Sequence, residues 1–209
     1  MYQPPNEKLQ QYVQKESERF WGDAGRYMIT DGYQLNPDSL VMDVGGYKGD
    51  FTDYIIRRYN SRVNVYEPVK AFYKELILRF KDRKVKVFNY GLEDHSYAGP
   101  ISCFEEASSM FYTSFDRKDE KVEIQDVVNE IDGPVDLLAL NCEGGEYGIL
   151  ERLIQTDQII NVKNILVQFH PFIADCQCRR HTIREMLKEK HKEKYSYDFC
   201  WEAWTRNEK

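Results

Sequence analysis

The sequence predicts an α/β protein built on a doubly wound, mostly parallel sheet. Five short apolar runs alternate with stretches of helical periodicity, the pattern of repeated strand–helix units. The runs are nearly continuous in apolar residues rather than strictly alternating, as in strands buried on both faces. Each run ends in a turn containing Gly, Pro or an acidic residue, so the chemistry is concentrated at the strand ends.

Residues 6–21 place Leu9, Tyr12, Val13, Phe20 and Trp21 near helical spacing and predict an N-terminal amphipathic helix. Residues 40–44 form the first strand, closed by Gly45-Gly46, and residues 51–59 return to helical periodicity. A second strand at 62–66 stops at Glu67-Pro68. A helix follows at 69–80 and a third strand at 85–88. Residues 91–121 are less regular, with alternating fragments around 101–104 and 110–115. A short helix is expected at 125–131, a very apolar strand at 135–140, a helix at 146–154 and a fifth strand at 165–169. The charged stretch 180–194 reads as helix, with the Lys/Glu run 188–194 as its solvated face, and Tyr195 to Trp201 reads as a last strand. One domain spanning 1–209 is expected, with a helical extension at 1–36 and a core at 38–209.

The formal charge of −6 argues against a protein that neutralises many phosphates of a nucleic acid. No apolar stretch approaches the ~20 residues of a membrane span, and the start of the chain has no secretory signal pattern. Five cysteines without framework spacing fit a reducing compartment, so a cytoplasmic protein is expected. Asp175-Cys176-Gln177-Cys178-Arg179-Arg180-His181 lacks the second ligand pair of a structural zinc site, and no metal is assigned. Trp201, Glu202 and Trp204 are candidates for gripping a sugar ring, with packing as their simpler role.

The first strand-end turn, Asp43-Val44-Gly45-Gly46-Tyr47-Lys48-Gly49-Asp50, departs from the dinucleotide fingerprint, which needs glycines at 47 and 50. Asp50 at the helix start would repel a pyrophosphate. The loop suits an adenosine ligand without phosphates, S-adenosylmethionine above all. Asp43 is placed to receive the donor's ammonium, and Tyr47 to offer a ring face to its sulfonium. Glu67, 24 residues after Asp43, can accept both ribose hydroxyls. At the fourth and fifth turns, Asn141, Glu143 and His170 sit at neighbouring strand ends and are expected to share one cleft. With an ordinary pKa of ~6.5, His170 is the first candidate for a general base, and Glu143 the second.

The segments Val41-Met42-Asp43-Val44-Gly45-Gly46-Tyr47-Lys48-Gly49-Asp50-Phe51, Val65-Tyr66-Glu67-Pro68 and 137–147 resemble the FkbM family of methyltransferases. Asn141-Cys142-Glu143-Gly144-Gly145-Glu146-Tyr147 is the most specific piece, and Ser108-Ser109 resembles a further landmark. The resemblance covers about residues 38–170. It implies a Rossmann-like fold of the class I methyltransferase type, S-adenosylmethionine as donor and O-methylation of a sugar or small-molecule hydroxyl. It also implies that Asp43, Gly45, Gly49 and Glu67 hold the cofactor, with Gly91 and Leu92 near the adenine. Asn141 stands where the family more often has Asp; that removes a charge beside the methyl group and weighs against a divalent metal. A nucleic-acid methyltransferase and a non-catalytic nucleoside-binding domain of a larger enzyme are the alternatives.

Overall fold

The computed structural model describes residues 5–23, 25–81, 83–103 and 118–208. Ser108-Ser109 and the fragment 110–115 lie outside them. The chain opens with α1 (Glu7–Gly22), whose N-cap Asn6 side chain accepts from the Leu9 N–H at 3.0 Å, and a short α2 (Gly25–Thr30). β1 (Leu40–Val44), α3 (Asp50–Tyr59), β2 (Arg62–Tyr66), α4 (Lys70–Arg79) and β3 (Val85–Phe88) follow as two strand–helix units and a third strand. β4 (Gly91–Glu93), β5 (Tyr97–Cys103) and β6 (Lys118–Asp126) form a small separate sheet in the order β4-β6-β5. After it come β7 (Leu137–Leu140), α5 (Glu146–Gln155), β8 (Asn164–Val167), α6 (Cys176–Leu187), β9 (His191–Tyr197) and β10 (Trp201–Arg206).

The main sheet has seven strands in the order β3-β2-β1-β7-β8-β10-β9. Its first five are parallel neighbours, and β10 runs antiparallel to both β8 and β9. The strand order reverses between β1 and β7, the point where open α/β sheets leave a crevice beyond the strand ends. Both faces are covered. Met42, Val44, Leu138, Leu140, Ile165 and Val167 join the core beneath α5 and α6, whereas Val41, Val63, Val65, Leu137, Ala139 and Leu166 join the core beneath α3 and α4. The strand period of two divides the residues in this way, which is why the runs read as continuously apolar.

Three sequence expectations are corrected. The helix expected at 180–194 is α6, starting earlier and ending at Leu187. The Lys/Glu run then passes through a turn into the edge strand β9, so Lys192, Glu193 and Lys194 are exposed side chains of a strand. Charge suits that position, because it discourages pairing with another sheet edge. The single last strand is a hairpin, β9 and β10, turning at Asp198–Cys200 with Phe199 at φ +54°. The helix expected at 125–131 is the end of β6 followed by a single 3₁₀ turn, Val127–Glu130.

The N-terminal helices are fastened to this hairpin. The Tyr12 hydroxyl donates to Asp198 (2.9 Å), the Asp198 N–H donates to Glu16 (3.2 Å), and Arg19 lies 4.5 Å from the Tyr197 ring centre. Phe20, fully buried, packs edge-on to Tyr197. Beneath the hairpin, Glu202 is almost fully buried and paired with Arg180 and Arg184, both at 2.5 Å.

Candidate active site

Two clefts open at the carboxyl ends of the strands, and they meet at Gly45 and Asn141, which line both. Gly45 has φ +90°, and a Cβ built on it would lie 2.0 Å from the Asn141 carbonyl oxygen. Only glycine lets the ends of β1 and β7 approach this closely. The Asn141 N–H donates to Val44 (3.0 Å) and the Gly45 N–H to Tyr66 (3.0 Å), fixing the junction to both neighbouring strands.

The first cleft, about 810 Å³, is floored by Glu67 and walled by Tyr47, Phe72, Leu92, Ile124 and Glu143. Each Glu67 oxygen accepts one backbone N–H, from Tyr47 at 2.7 Å and from Val69 at 2.8 Å. A carboxylate oxygen has a second lone pair, so both can still take a hydroxyl. Burial pushes the Glu67 carboxyl up to about 7, against the pull of those two hydrogen bonds. A Cβ on Gly91 would come within 2.8 Å of Ile124, so the strand end leaves room for a flat group only while it carries glycine. The Tyr47 ring meets Phe72 edge-on at 4.7 Å, and the Lys48 ammonium lies 4.9 Å from its centre. Among the described residues the buried Tyr47 hydroxyl has no hydrogen-bond partner.

The second cleft, about 820 Å³, lies on the α3 side of the sheet, between Asp43, Phe51, Tyr54 and Trp201 and the N-terminal residues Trp21 and Arg26. Alternation along β1 sends Asp43 to this face, where its Oδ2 accepts from the Thr52 hydroxyl at 2.5 Å. Burial raises the Asp43 carboxyl to about 7 despite that bond.

Behind the first cleft stands a carboxylate–imidazole–carboxylate stack. His170 Nε2 is 3.4 Å from Glu143, and His170 Nδ1 is 3.1 Å from Glu146. Glu146 is fully buried and also accepts the N–H groups of Gly144 and His170, each at 2.8 Å. Burial by itself would lower the His170 pKa, but Glu146 and Glu143 outweigh it and hold the ring up at about 10. That lies well above the ordinary value near 6.5 on which a general-base role for His170 was expected. Glu143 sits at φ +52° and Tyr47 at φ +45°, left-handed conformations uncommon for such residues and concentrated at functional loops.

The methyltransferase FkbM domain model matches residues 43–198, about three quarters of the chain. The chain belongs to the FkbM methyltransferase family. Among solved structures it is similar to the FkbM methyltransferase from Methylobacillus flagellatus KT, with a TM-score of 0.58, 12% identity and 85% of this chain covered; the match spans 46% of that chain. It is also similar to an rRNA methylase from Streptococcus thermophilus, with a TM-score of 0.51, 10% identity and coverage of 86% and 92% of the two chains. At these identities the likeness is one of fold. No curated protein sequence matches the chain.

An FkbM methyltransferase takes its methyl group from S-adenosylmethionine. The first cleft has the donor set for an adenosine: apolar walls, and a carboxylate offering two free lone pairs. Of the residues expected to hold the cofactor, Gly45, Tyr47, Glu67, Gly91, Leu92 and Asn141 line this cleft together with Glu143. Asp43 lines the neighbouring cleft. Gly49 lines neither; a Cβ on it would lie 2.6 Å from Phe80, so it serves the packing of α3 against α4. Of the C-terminal trio, Trp201 lines the second cleft, whereas Trp204 is buried and Glu202 is held by two arginines. Cys176 is buried against the Pro171 carbonyl and Cys178 is exposed. The sequence reading missed Phe72, Ile101, Ile124 and Glu93 in the first cleft, and Arg26, Phe51 and Tyr54 in the second. The Val69–Phe80 periodicity signalled Phe72; the others come together only through tertiary packing. In the described residues, no helix is long and apolar enough to cross a membrane.

Proposed function

We propose that the chain is an S-adenosylmethionine-dependent O-methyltransferase acting on a hydroxyl of a sugar, a glycan or a related small molecule. The stack Glu143–His170–Glu146 carries this reading, because it brings a carboxylate backed by a buried cation to the wall beside Asn141. Bound S-adenosylmethionine supplies an electrophilic methyl group on a sulfonium. Glu67 would hold the ribose, Leu92 and Gly91 would border the adenine, and Asp43 would face the amino-acid end. A hydroxyl is a poor nucleophile until it loses its proton, and a base within reach contributes ~10²–10⁴ in rate. Glu143 would take that proton; the bound donor would give up its methyl group to the oxygen as its carbon–sulfur bond breaks, and would leave as S-adenosylhomocysteine. His170 keeps Glu143 oriented, while Glu146, pinned by two backbone N–H groups, holds the ring in place. Positioning of the two reactants supplies much of the remainder.

The acceptor enters through the second cleft, which is larger than the amino-acid end of the donor needs. Trp21, Phe51, Tyr54 and Trp201 offer ring faces to a sugar. The charge of −6 and the aspartates 31 and 50 on the second cleft and the adjoining groove weigh against nucleic acid as acceptor. Free thiols at Cys142, Cys176, Cys178 and Cys200 support a cytoplasmic location.

The test is release of S-adenosylhomocysteine in the presence of monosaccharides, sugar nucleotides, oligosaccharides and an rRNA transcript. Release with a saccharide supports the proposal; release with the transcript alone overturns it. Glu143→Gln is expected to lower turnover by roughly 10²-fold and to leave S-adenosylhomocysteine affinity within about threefold of the unmodified protein.

A further inference from the structure

The family model starts at Asp43, yet residues before it build one wall of the second cleft. Among the described residues, Arg26 on α2 is the only cation lining that cleft and the groove that continues from it past Tyr27 and Asp31. The carboxylates around it have other partners. Asp31 is engaged by Arg58 at 3.0 Å and by the Tyr54 hydroxyl at 2.5 Å. Asp50 is engaged by Arg79 at 2.7 Å, and Asp43 by the Thr52 hydroxyl. Among the described residues Arg26 takes part in none of the ion pairs.

A ligand whose adenosine lies in the first cleft reaches the second past Gly45 and Asn141, the residues common to both clefts. The remainder of S-adenosylmethionine is a zwitterion, and a site that recognises it offers a counter-charge to each end. Among the described residues the second cleft offers one cation, Arg26, and two acids, of which Asp50 is paired with Arg79 and Asp43 stands at the end of β1. We propose that Arg26 binds the carboxylate of the donor's amino-acid end, making the N-terminal helices part of the donor site. Arginine suits the task, because its planar fork can donate two parallel hydrogen bonds to a carboxylate. The inference rests on the donor reading given above. It adds a residue that lies outside the matched segment and explains why the N-terminal helices are tied so firmly to the C-terminal hairpin: they hold a ligand contact in register with strands formed much later in the chain.

The experiment is calorimetry on the full chain with three ligands. S-adenosylhomocysteine carries the whole amino-acid end, its decarboxylated analogue keeps only the amine, and 5′-methylthioadenosine lacks both. The unmodified protein is expected to prefer S-adenosylhomocysteine over the decarboxylated analogue by at least roughly tenfold, the scale of a charge-assisted hydrogen bond. Arg26→Met is expected to bring that ratio close to one without changing 5′-methylthioadenosine affinity, and Arg26→Lys to retain part of the preference. Thermal melts of both variants confirm that α2 is still docked. If Arg26→Met fails to dock, Arg26→Gln and Arg26→Lys carry the same comparison. An unchanged ratio in the variants overturns the proposal, as does an equal loss for all three ligands or the absence of any preference in the unmodified protein. An unchanged ratio combined with weaker binding of an anionic acceptor assigns Arg26 to the acceptor instead. Failure of the unmodified protein to bind any of the three at millimolar concentration removes the donor reading itself, a result distinct from failure of the Arg26 assignment.

Discussion

A single oxygen of Glu146, Oε1, accepts both the main-chain N–H of His170 at 2.8 Å and its ring Nδ1 at 3.1 Å. The backbone and the side chain of one residue are thereby fixed by the same carboxylate, and the ring cannot turn away from Glu143. With its pKa raised to about 10, the folded protein binds the His170 proton more tightly than the unfolded chain does. The associated stability is fully present below about 6.5 and is lost as pH rises through 10. His170→Ala is expected to cost roughly 3 kcal/mol at pH 7, since it removes the ring that pairs with the fully buried Glu146 and the half-buried Glu143. The gap to the unmodified protein should narrow by pH 10.5. Urea unfolding at the two pH values checks this, and an equal gap at both would place the stabilisation in packing alone.

Asp43 has the opposite consequence. Its carboxyl titrates near 7 in the folded protein against an ordinary value near 3.8, so burial makes the native state hold the proton. The sign follows directly: stability is greatest below about 4 and declines as pH rises towards 7. Asp43→Asn removes that decline. In the absence of donor it is expected to be more stable than the unmodified protein at pH 8, by on the order of 2–4 kcal/mol, and nearly equal to it at pH 4. Donor affinity should fall at the same time. Thermal melts across that range, paired with calorimetry, read both effects.

Glu67→Gln tests the ribose contact. The carboxylate accepts an N–H on each oxygen, from Tyr47 and Val69, and a glutamine amide would turn an NH₂ group onto one of them. Affinity for S-adenosylhomocysteine is expected to drop by roughly tenfold or more. The preference for adenosine over its 2′-deoxy and 3′-deoxy analogues should shrink with it. A variant that binds all three as the unmodified protein does would move the ribose elsewhere.

Gly45→Ala is the steric test. The added methyl would lie 2.0 Å from the Asn141 carbonyl oxygen on a backbone at φ +90°. Either the ends of β1 and β7 part or the loop refolds, at roughly 2–4 kcal/mol. Loss of S-adenosylhomocysteine binding is expected even in the fraction that remains folded. Denaturant midpoints and binding isotherms on the same preparation separate the two losses.

The parallel half of the sheet was legible in the sequence because each strand there is identified locally. Leu40–Val44, Arg62–Tyr66 and Val85–Phe88 are bounded by residues that stop a strand by their own chemistry, and the structure has them at those bounds. The C-terminal hairpin was not legible. A run such as Lys188 to Lys194 has no apolar period to choose between helix and strand, and the pairing of Trp204 with Ile165 decides it from far along the chain. In the site, Gly45, Glu67, Asn141 and Glu143 were found because strand-end turns carry the ligand in this kind of sheet. That Asp43 would face the second cleft follows from the period of two, but only once its neighbours are known. The charge state of His170 depends on Glu146, whose position in the motif suggested a helix start rather than a partner for the ring.

The strap between Tyr12 and Asp198 closes a loop of 186 residues. Contacts so distant in sequence form late, because the entropy of closing the intervening chain must be met before they are gained. On a ribosome, α1 and α2 emerge well before the hairpin that fastens them. Trp21 and Arg26 therefore take their places only once the hairpin exists, and the wall of the second cleft that they build is completed late. An incompletely synthesised chain can hold every residue of the adenosine cleft and still lack a finished second cleft, so binding of a nucleoside and transfer of a methyl group become separable stages in the maturation of this enzyme.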